Sequence, residues 1–274
     1  MSVITTLSSE KAWAPDHVTI QSDPHKYQPL ILTTSTVAAD INGDQVSLMV
    51  GYADDGSAEF VAEGDELHKS NPTLTQKIVT TAKMSQLVRI SQEQYSQDQA
   101  LTRMAESVNR GLKRGADVAY LTHPADEFGV TGILNQGIPV LGNLKTNLDP
   151  LSEAIAEIES VWGQPSHIVV SPQSWAHIAS LKAFDKGAAT IMGIGNNDAE
   201  RRLLNLPVIV TPAMPQNKVL VVDRNSIISA VGDVRVRADE SLYANYDQVA
   251  LIATWRFGSS VVHPTRNAVV EITT

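Results

Sequence analysis

The sequence contains no cysteine, and this absence removes several classes of function at once. Without thiols the chain has no disulfide, no thiolate zinc site and no cysteine nucleophile. Aromatic residues are also scarce, at 5% of the chain, and no run of 18 or more apolar residues could span a bilayer. Stability must therefore come from packing within the chain and from assembly with other chains.

Positive charge is in short supply as well. The chain has 21 Lys and Arg against 30 Asp and Glu, a formal net charge of -9, which does not support a general attraction to nucleic acid or to an anionic membrane. Hydrophobic residues make up 43% of the 274 positions, enough to bury the core of one large domain or two modest ones. The first residues lack the basic then apolar order of a signal peptide, so we expect a protein made and used in the cytosol, or in particles built there.

The first half of the chain predicts an arm, a set of strands and one long helix. Residues 1–30 contain three prolines and no apolar periodicity, which indicates an extended arm. Strands are predicted over 44–52 and 57–64, joined by a turn at Asp55 and Gly56. One long strand or two consecutive strands are predicted over 73–90, because Thr, Val and Ile alternate there in part. Capping boxes at Ser91 with Gln94 and at Ser96 with Gln99 then precede a helix of about 20 residues that should end near Gly115.

The second half predicts two shorter helices among many strands. Asp149 is the expected N-cap of the first helix, with Pro150 at its first position and an apolar stripe of Leu151, Ile155, Ile158 and Trp162. Ser171 is the expected N-cap of the second helix, which should bury Trp175, Ile178 and Leu181. The last third is rich in strands, for which we expect one open sheet. The elements together predict an α+β fold.

A search for catalytic, cofactor and metal sites in the sequence finds none. The seven histidines include no pair at the i, i+4 spacing that would place two imidazoles on one metal ion. Glu63, Asp65, Glu66 and His68 lie close together, but consecutive loop carboxylates ordinarily face water, which favours a solvated loop. Ser171 precedes a helix and could suggest a nucleophile, but its role as a helix cap accounts for it. The glycines around residue 194 lack the spacing of a dinucleotide-binding site. We therefore expect no enzyme activity and no cofactor.

The order of several segments resembles the major capsid proteins of tailed bacteriophages with the Hong Kong 97 fold. The matching stretches are FVAEGDELHKSNPTLTQKIVTTAKMSQLVRIS (60–91), GILN (132–135), IVVSPQSWAHIASLK (168–182), LLNLPVIVTPAMP (203–215) and YDQVALIATWRFGSSVVHPTRNAVVEI (246–272). The resemblance runs from about residue 30 to the end of the chain. It implies the following organisation: an N-terminal arm (1–30), a peripheral domain (31–148) with an extended β-hairpin loop (about 45–72) and a spine helix (about 96–115), an axial domain (149–230), and a return to the peripheral domain (231–274).

The resemblance also implies a function and partners. The chain would be a structural head protein that self-assembles into hexamers and pentamers of an icosahedral virion capsid, with portal and scaffolding proteins as further partners. It would enclose double-stranded phage DNA without sequence-specific binding, contact no membrane, and assemble in the host cytoplasm. Many relatives begin with a fused scaffolding segment, whereas Met1 here leads almost directly into the arm, which implies a separate scaffold or none.

Within this interpretation the charged loop becomes a contact surface between subunits. The candidate contact residues are Glu63, Asp65, Glu66, His68 and Lys69, and the charges would keep an exposed edge soluble until a neighbouring subunit covers it. Some relatives join subunits by a lysine to asparagine isopeptide bond, for which Lys69 and Asn245 are the nearest candidates. Two alternatives stay open: an encapsulin-type nanocompartment shell of the same fold, and a soluble α+β enzyme or binding protein with an unrecognised site.

Overall fold

The computed structural model describes residues 28–40, 47–53, 60–61, 74–96, 100–125, 129–181 and 201–273. The helices within these residues are α1 (Leu30–Thr34), α2 (Gln92–Tyr95), α3 (Ala100–Thr122), α4 (Asp149–Ser160) and α5 (Pro172–Ser180). The strands are β1 (Thr36–Asp40), β2 (Ser47–Ala53), β3 (Leu74–Thr80), β4 (Ala82–Ser91), β5 (Val140–Leu144), β6 (His167–Val170), β7 (Arg202–Leu203), β8 (Leu206–Val210), β9 (Lys218–Val222), β10 (Ile227–Val231), β11 (Arg235–Tyr243), β12 (Gln248–Val261) and β13 (Ala268–Ile272). They form two large sheets and one two-stranded ribbon.

The first sheet is built around the 14-residue strand β12. Antiparallel β4 runs along one side of β12, β11 and β10 pair with successive parts of its other side, and β1 lies parallel to β10. From Leu251 to Phe257 the side chains alternate between buried and half-buried. They alternate because neighbouring residues of a strand point to opposite faces, and α3 packs on only one of these faces.

Helix α3 is longer than the sequence analysis predicted, because Gly115 does not end it. The two glycines of this helix face the sheet: a Cβ on Gly111 would lie 2.9 Å from the side chain of Gln86, and one on Gly115 would lie 3.6 Å from the sulfur of Met84. Gly111 therefore leaves room for the end of the Gln86 side chain, whereas a Cβ at Gly115 would make an ordinary contact. The helix continues for another seven residues to Thr122. Pro124 follows shortly after that end, as expected for a residue that cannot continue a helix.

The start of the described chain is fixed against α3. Asp117 is buried and accepts a hydrogen bond of 2.8 Å from the backbone N–H of Leu30, the first residue of α1. The hydroxyls of Thr34 and Tyr120 are also hydrogen bonded, at 2.9 Å, and burial strongly raises the pKa of Tyr120. The predicted arm therefore ends at a firmly packed helix, although residues 1–27 of that arm lie outside the described residues.

Strand β2 pairs with β3, so the predicted pairing of 44–52 with 57–64 is wrong. The ladder runs from Ser47 opposite Thr80 to Ala53 opposite Leu74. Of the predicted second strand only residues 60 and 61 are described, and neither is in a strand. Enlarging the closed loop from a tight turn to the 20 residues 54–73 costs only roughly 1–2 kcal/mol of chain entropy. Packing offsets that cost, because the inner face of the ribbon buries Val79 against β10.

Of the two alternatives predicted for 73–90, one long strand or two consecutive strands, the structure has the second: β3 belongs to the ribbon and β4 to the first sheet, with Thr81 between them. The chain passes closely over β12 at this point. A Cβ on Gly258 would lie 2.0 Å from the carbonyl oxygen of Thr80, so only glycine lets the end of the ribbon cross here.

The second sheet has the strand order β5-β13-β9-β6-β8-β7, and its central strands are buried on both faces. Alternate residues of β6, β9 and β13 belong to two different cores. One core lies under α4 and α5 and contains Ile168, Val219, Val221 and Val270, among others. The other core contains Val169, Leu220, Val222 and Val269 and is shared with α3 and the first sheet. This two-sided burial explains why the strands read as continuous apolar runs in the sequence.

The strands of the last third therefore lie in two sheets rather than in the single open sheet that we expected. Strands β10, β11 and β12 join the first sheet, whereas β9 and β13 join the second. The expected boundary at residue 231 also does not coincide with the division between the sheets, since β10 precedes it and β13 follows it. The physical reason is that β13 is apolar on both faces and needs the fully covered position between β5 and β9.

The predicted N-caps at Ser91 and Ser171 are right, whereas that at Asp149 is wrong. Ser96, predicted with Gln99 as the cap of the long helix, instead ends α2, and its hydroxyl donates to Glu93 O at 2.8 Å. The hydroxyl of Ser171 accepts the backbone N–H of Ser174 at 3.1 Å, and that of Ser91 accepts the N–H of Gln94 at 3.4 Å. Helix α4 instead includes Asp149 as its first residue, with Leu148 at the N-cap position. The charge of Asp149 in the first turn favours the helix through its dipole rather than as a cap.

Candidate assembly surfaces

The outer face of the ribbon carries exposed apolar side chains. Met49 lies directly opposite Ile78, and their side chains are 60% and 56% exposed; Leu74, two pairs along on the same face, is 81% exposed. The inner-face residues Leu48 and Val50 pack instead near β10. An apolar outer face on a two-stranded ribbon is typical of a surface that another chain covers.

The turn between β11 and β12 is a second exposed feature, and it contains Asn245. The turn is a short 3-10 helix from Ala244 to Tyr246, followed by Asp247 in the left-handed region at φ 53°. Leu242 and Tyr246 beside it are 49% and 64% exposed. The turn thus presents Asn245 to solvent between two apolar side chains.

Polar contacts hold the base of this turn. One oxygen of Asp239 accepts the backbone N–H and the hydroxyl of Ser241, at 3.0 and 2.7 Å, and the N–H of Leu242 at 3.2 Å. These hydrogen bonds, led by the one from the Ser241 hydroxyl, lower the pKa of Asp239. The Tyr95 hydroxyl donates to Glu240, and this hydrogen bond is the main cause that raises the pKa of Tyr95.

Trp162 is the third feature, and its position corrects the predicted apolar stripe of α4. Its side chain is 86% exposed, whereas Leu151 and Ile158 are fully buried. The N–H of Trp162 donates to Glu159 O at 3.0 Å and that of Gly163 to Ile158 O at 2.9 Å, the two bonds of a Schellman motif. Trp162 occupies the left-handed position of this motif, at φ 60°, so the helix has ended and its side chain turns away from the core.

A buried polar network joins the two sheets next to Trp162. Asn267 accepts the backbone N–H of Asp223 at 3.1 Å and donates to Ser226 Oγ at 2.6 Å and to His263 O at 3.1 Å. The carboxylate of Asp223 accepts the N–H of Gln164 at 3.1 Å. This network fixes the connection from β9 in the second sheet to β10 in the first.

Arg224 extends the same network toward β1. Its Nε donates to Ser35 O at 3.0 Å and its backbone N–H to Ser166 Oγ at 3.1 Å. The neighbouring His167 has a lowered pKa because burial disfavours its charged form and Arg224 repels it.

The described residues enclose a cavity and contain no cluster typical of a metal site. The cavity, of about 250 Å³, lies between β4, the end of α3 and β12, and is lined by Ala82, Lys83, Met84, Ala119, His123, Val130 and Phe257. Over the same parts of the chain, no three His, Asp or Glu side chains are grouped so that they could hold a metal ion. None of the helices described is both long and apolar enough to cross a membrane.

The candidate contact residues Glu63, Asp65, Glu66, His68 and Lys69 lie outside the described residues. They fall between β2 and β3, in the segment that closes the ribbon. Asn245, the other crosslink candidate, is exposed, but its distance to Lys69 is not defined. The pairing of Lys69 with Asn245 stays a prediction.

Sequence reasoning missed the apolar outer face of the ribbon and the exposed position of Trp162. The outer face of the ribbon could have been found from the alternation in SLMVGYA (47–53) and LTQKIVT (74–80), had these segments been paired with each other. The solvent position of Trp162 had a weaker signal, the glycine that follows it. A Trp-Gly pair at the end of an amphipathic helix is compatible with two structures. The tryptophan can belong to one more helical turn that faces the core, or it can be the left-handed residue that ends the helix.

Comparison with known proteins gives the class of the fold. A structure of Gordonia phage Cozz is 19% identical, with a TM-score of 0.70 over 95% of this chain and 91% of that one. The capsid of an empty GTA particle gives a TM-score of 0.72 at 15% identity over the full length of both chains, and a structure of Microbacterium phage Oxtober96 gives 0.73 at 14% identity over 99% and 100%. The fold is thus the Hong Kong 97-like α+β fold, as the resemblance implied.

The family follows from the sequence itself. The model of the phage capsid family matches residues 19–272, whereas a search of curated proteins found no match. The chain belongs to the phage capsid family, whose members are structural shell proteins rather than enzymes. The location of this protein is accordingly the virion capsid.

Proposed function

We propose that this chain forms the icosahedral head of a tailed phage, as hexamers and pentamers that enclose double-stranded DNA. The observation that carries the proposal is the ribbon, whose outer face leaves Met49, Leu74 and Ile78 uncovered in the single subunit. A subunit with such a face gains by burying it against a neighbour, at roughly 25 cal/mol per Å² of apolar area. Repeated around a ring, this contact would connect each copy to the next.

Under this proposal the two sheets have different roles. The first sheet with α3 would form the peripheral domain, and the second sheet with α4 and α5 the axial domain around the centre of each ring. The polar network of Asp223 and Asn267 supports the division, because it lies where the chain passes from one sheet to the other. Assembly would take place in the host cytoplasm, with portal and scaffolding proteins as further partners.

The shell would enclose DNA without binding it tightly. The net charge of -9 disfavours binding of the phosphate backbone, and a wall that releases DNA has no need of such binding. The same charge would suit an encapsulin-type shell, which encloses a protein instead, so the contents of the particle must be measured.

The test is expression of the chain alone, and with its neighbouring phage proteins, followed by light scattering and electron microscopy. We expect rings or closed shells, and nuclease-resistant DNA inside particles made during infection. A protein that stays monomeric or dimeric in every condition would overturn the proposal. Shells that hold a cargo protein and no DNA would favour the nanocompartment.

The crosslink prediction has its own measurement. An isopeptide bond would join Lys69 Nζ to Asn245 Cγ of another subunit and release ammonia. Purified mature particles are boiled in detergent and run on a denaturing gel. Covalently joined subunits would give a ladder that Asn245→Ala abolishes, whereas a single band at the monomer mass would rule the bond out.

A further inference from the structure

We propose that Tyr52 and His263 form a latch that fixes the angle of the ribbon in the single subunit and so positions its apolar outer face for a neighbouring copy. The fixed angle is a property of the subunit itself, whereas its role in assembly rests on the proposed function. The latch is one contact between two rings. Their centroids are 5.2 Å apart and their planes meet at 76°, an edge-to-face arrangement that aromatic pairs favour.

The register of the ribbon places Tyr52 on its inner face. Leu48, Val50 and Tyr52 occupy alternate positions of β2, and alternate residues of a strand point to the same side. Leu48 and Val50 pack around Val79 and near Ala230 of β10. The inner face therefore contacts the rest of the subunit at two places, this apolar cluster and the ring of Tyr52.

Tyr52 lies far from the joint of the ribbon, by which we mean Thr81 between β3 and β4. The ladder begins at Ser47 opposite Thr80, so Tyr52 lies five residues further along, roughly 17 Å at about 3.4 Å per residue. The joint itself is held, because the Arg256 guanidinium donates to Thr81 O and Oγ1 at 3.3 Å each. Contacts near the joint alone leave the ribbon able to tilt, whereas a contact at the end of so long an arm restricts the tilt.

His263 is a firm partner for this arm, because its backbone belongs to the polar network between the sheets. Its carbonyl accepts the side-chain amide of Asn267 at 3.1 Å, and its N–H donates to Ser226 O at 3.4 Å. Asn267 and Ser226 are fully buried. The latch therefore connects the ribbon to the point where the chain passes from β12 of the first sheet to β13 of the second.

The latch decides which face of the ribbon is available. With the inner face held against its own subunit, Met49 and Ile78 point outward and are exposed. A ribbon that tilted about the joint would lose this orientation, and a neighbour would have to order it during binding. Holding the ribbon in advance removes part of that cost. We therefore expect a latched subunit to assemble at a lower concentration than an unlatched one.

Hydrogen exchange of the dissociated subunit tests the latch without reference to assembly. Tyr52→Ala and His263→Ala should each speed exchange of the β2 and β3 amides by roughly twofold to tenfold, the range expected for loss of one edge-to-face ring pair. The double variant should show the same increase as either single variant, because all three lose the same contact. Tyr52→Phe keeps the ring and should exchange like the unmodified chain. The amides of β6 and β9 are the internal control and should keep their rates.

The role in assembly has its own variants. Tyr52→Ala should raise the concentration needed for rings or shells at least roughly threefold, and Tyr52→Phe should leave it unchanged. Met49→Gln, on the outer face, should also raise that concentration but leave exchange of the ribbon within about twofold of the unmodified chain, which separates the latch from the contact surface. Because the chain has no cysteine, Tyr52→Cys with His263→Cys can be bridged by a short bifunctional thiol reagent. The bridged chain should assemble like the unmodified one.

Unchanged exchange in Tyr52→Ala, or additive effects in the double variant, would overturn the latch and leave the proposed function untouched. Faster exchange of the ribbon with unaltered assembly would overturn the positioning role. A bridged chain that no longer assembles would do the same, because the ribbon would then have to leave this position to meet a neighbour. An unmodified chain that forms no particles, with the exchange results as expected, would support the latch and overturn the proposed function.

Discussion

Trp162 combines two unfavourable conditions in the single subunit, an exposed indole and a left-handed backbone. The left-handed conformation costs a residue other than glycine roughly 1–2 kcal/mol, and glycine is the usual residue at this position of a Schellman motif. We expect Trp162→Gly to stabilise the dissociated subunit by about 1 kcal/mol, measured by urea unfolding. The matched control is Asn205→Gly at φ 66°, which should gain less because asparagine tolerates this conformation.

A loss of stability, or an equal gain at Asn205, would show that the backbone at Trp162 is not strained. The sequence offered no means of predicting this, because the helical pattern of α4 continues without a break through Val161 and Trp162. What ends the helix is the pair of bonds to Glu159 and Ile158 that the following Gly163 makes possible. A sequence pattern records which residues are apolar and not where the backbone changes direction.

Asn267 is the residue whose loss should most weaken the connection between the sheets. Replacement by leucine keeps the branched shape of the side chain but leaves the buried backbone N–H of Asp223 without its acceptor and removes the donor to Ser226 Oγ and His263 O. We expect Asn267→Leu to destabilise the subunit by about 2–4 kcal/mol. Asn245→Leu makes the same chemical change on an exposed turn and should alter stability by less than about 0.5 kcal/mol. Equal effects of the two substitutions in denaturant unfolding would contradict the role given to the network.

At the scale of elements, the ribbon can be separated from the loop that closes it. Ala53 lies directly opposite Leu74, so a two-residue Asn-Gly turn can replace residues 54–73 without disturbing the ladder. We expect this shortened chain to fold with an unfolding midpoint at least as high as that of the unmodified chain, because the shorter loop costs less chain entropy. We expect it to form no shells, because the segment that would reach the neighbour is gone. Size-exclusion chromatography with light scattering and electron microscopy provide the measurement.

The control for the shortened chain is a loop of the same length with a neutral sequence. Replacement of 54–73 by 20 Gly and Ser residues keeps the span but removes the acids and Phe60. Both variants should stay unassembled; shells from the neutral loop would mean that length alone is needed. A deletion of residues 50–66 could not replace these variants, because it would remove half of β2 together with the loop.

Most elements could be predicted from the sequence, but their pairing could not. The strand character of 73–90, the caps at Ser91 and Ser171 and the strands of the last third followed from local patterns. The partner of β2 and the division of the last strands between two sheets depend on contacts far apart in the chain, such as Val79 with Ala230. Local patterns do not specify such contacts, because chain entropy separates a near partner from a distant one by only a few kcal/mol.

The charged segment around Glu63 was predicted as a loop that touches another chain, and this stays a prediction because Glu63, Asp65, Glu66, His68 and Lys69 lie outside the described residues. The apolar outer face of the ribbon was not predicted, because Met49 and Ile78 lie side by side only through the pairing of β2 with β3.

At the scale of the whole molecule, the two sheets share one core, and this decides how the subunit should unfold. Val169, Leu220, Val222 and Val269 of the second sheet lie in the same cluster as Ala253, Trp255 and Phe257 of the first, with α3 between them. Neither sheet could open without exposing apolar surface of the other. We therefore expect a single cooperative transition in which both sheets unfold together.

Two tryptophans report on the sheets separately. Trp255 lies in the first sheet and Trp175 on α5 over the second, so variants that keep only one of them, with phenylalanine at the other tryptophan positions, follow each part by fluorescence. In each variant the fluorescence midpoint in urea should coincide with the circular dichroism midpoint of the same variant, because both sheets unfold in one transition. Val222→Ala, which removes two methyl groups from the shared core, should lower both midpoints equally, by a loss of about 1–3 kcal/mol. If the axial and peripheral parts were independent domains, only the Trp175 transition would move, and the shared core would not couple them.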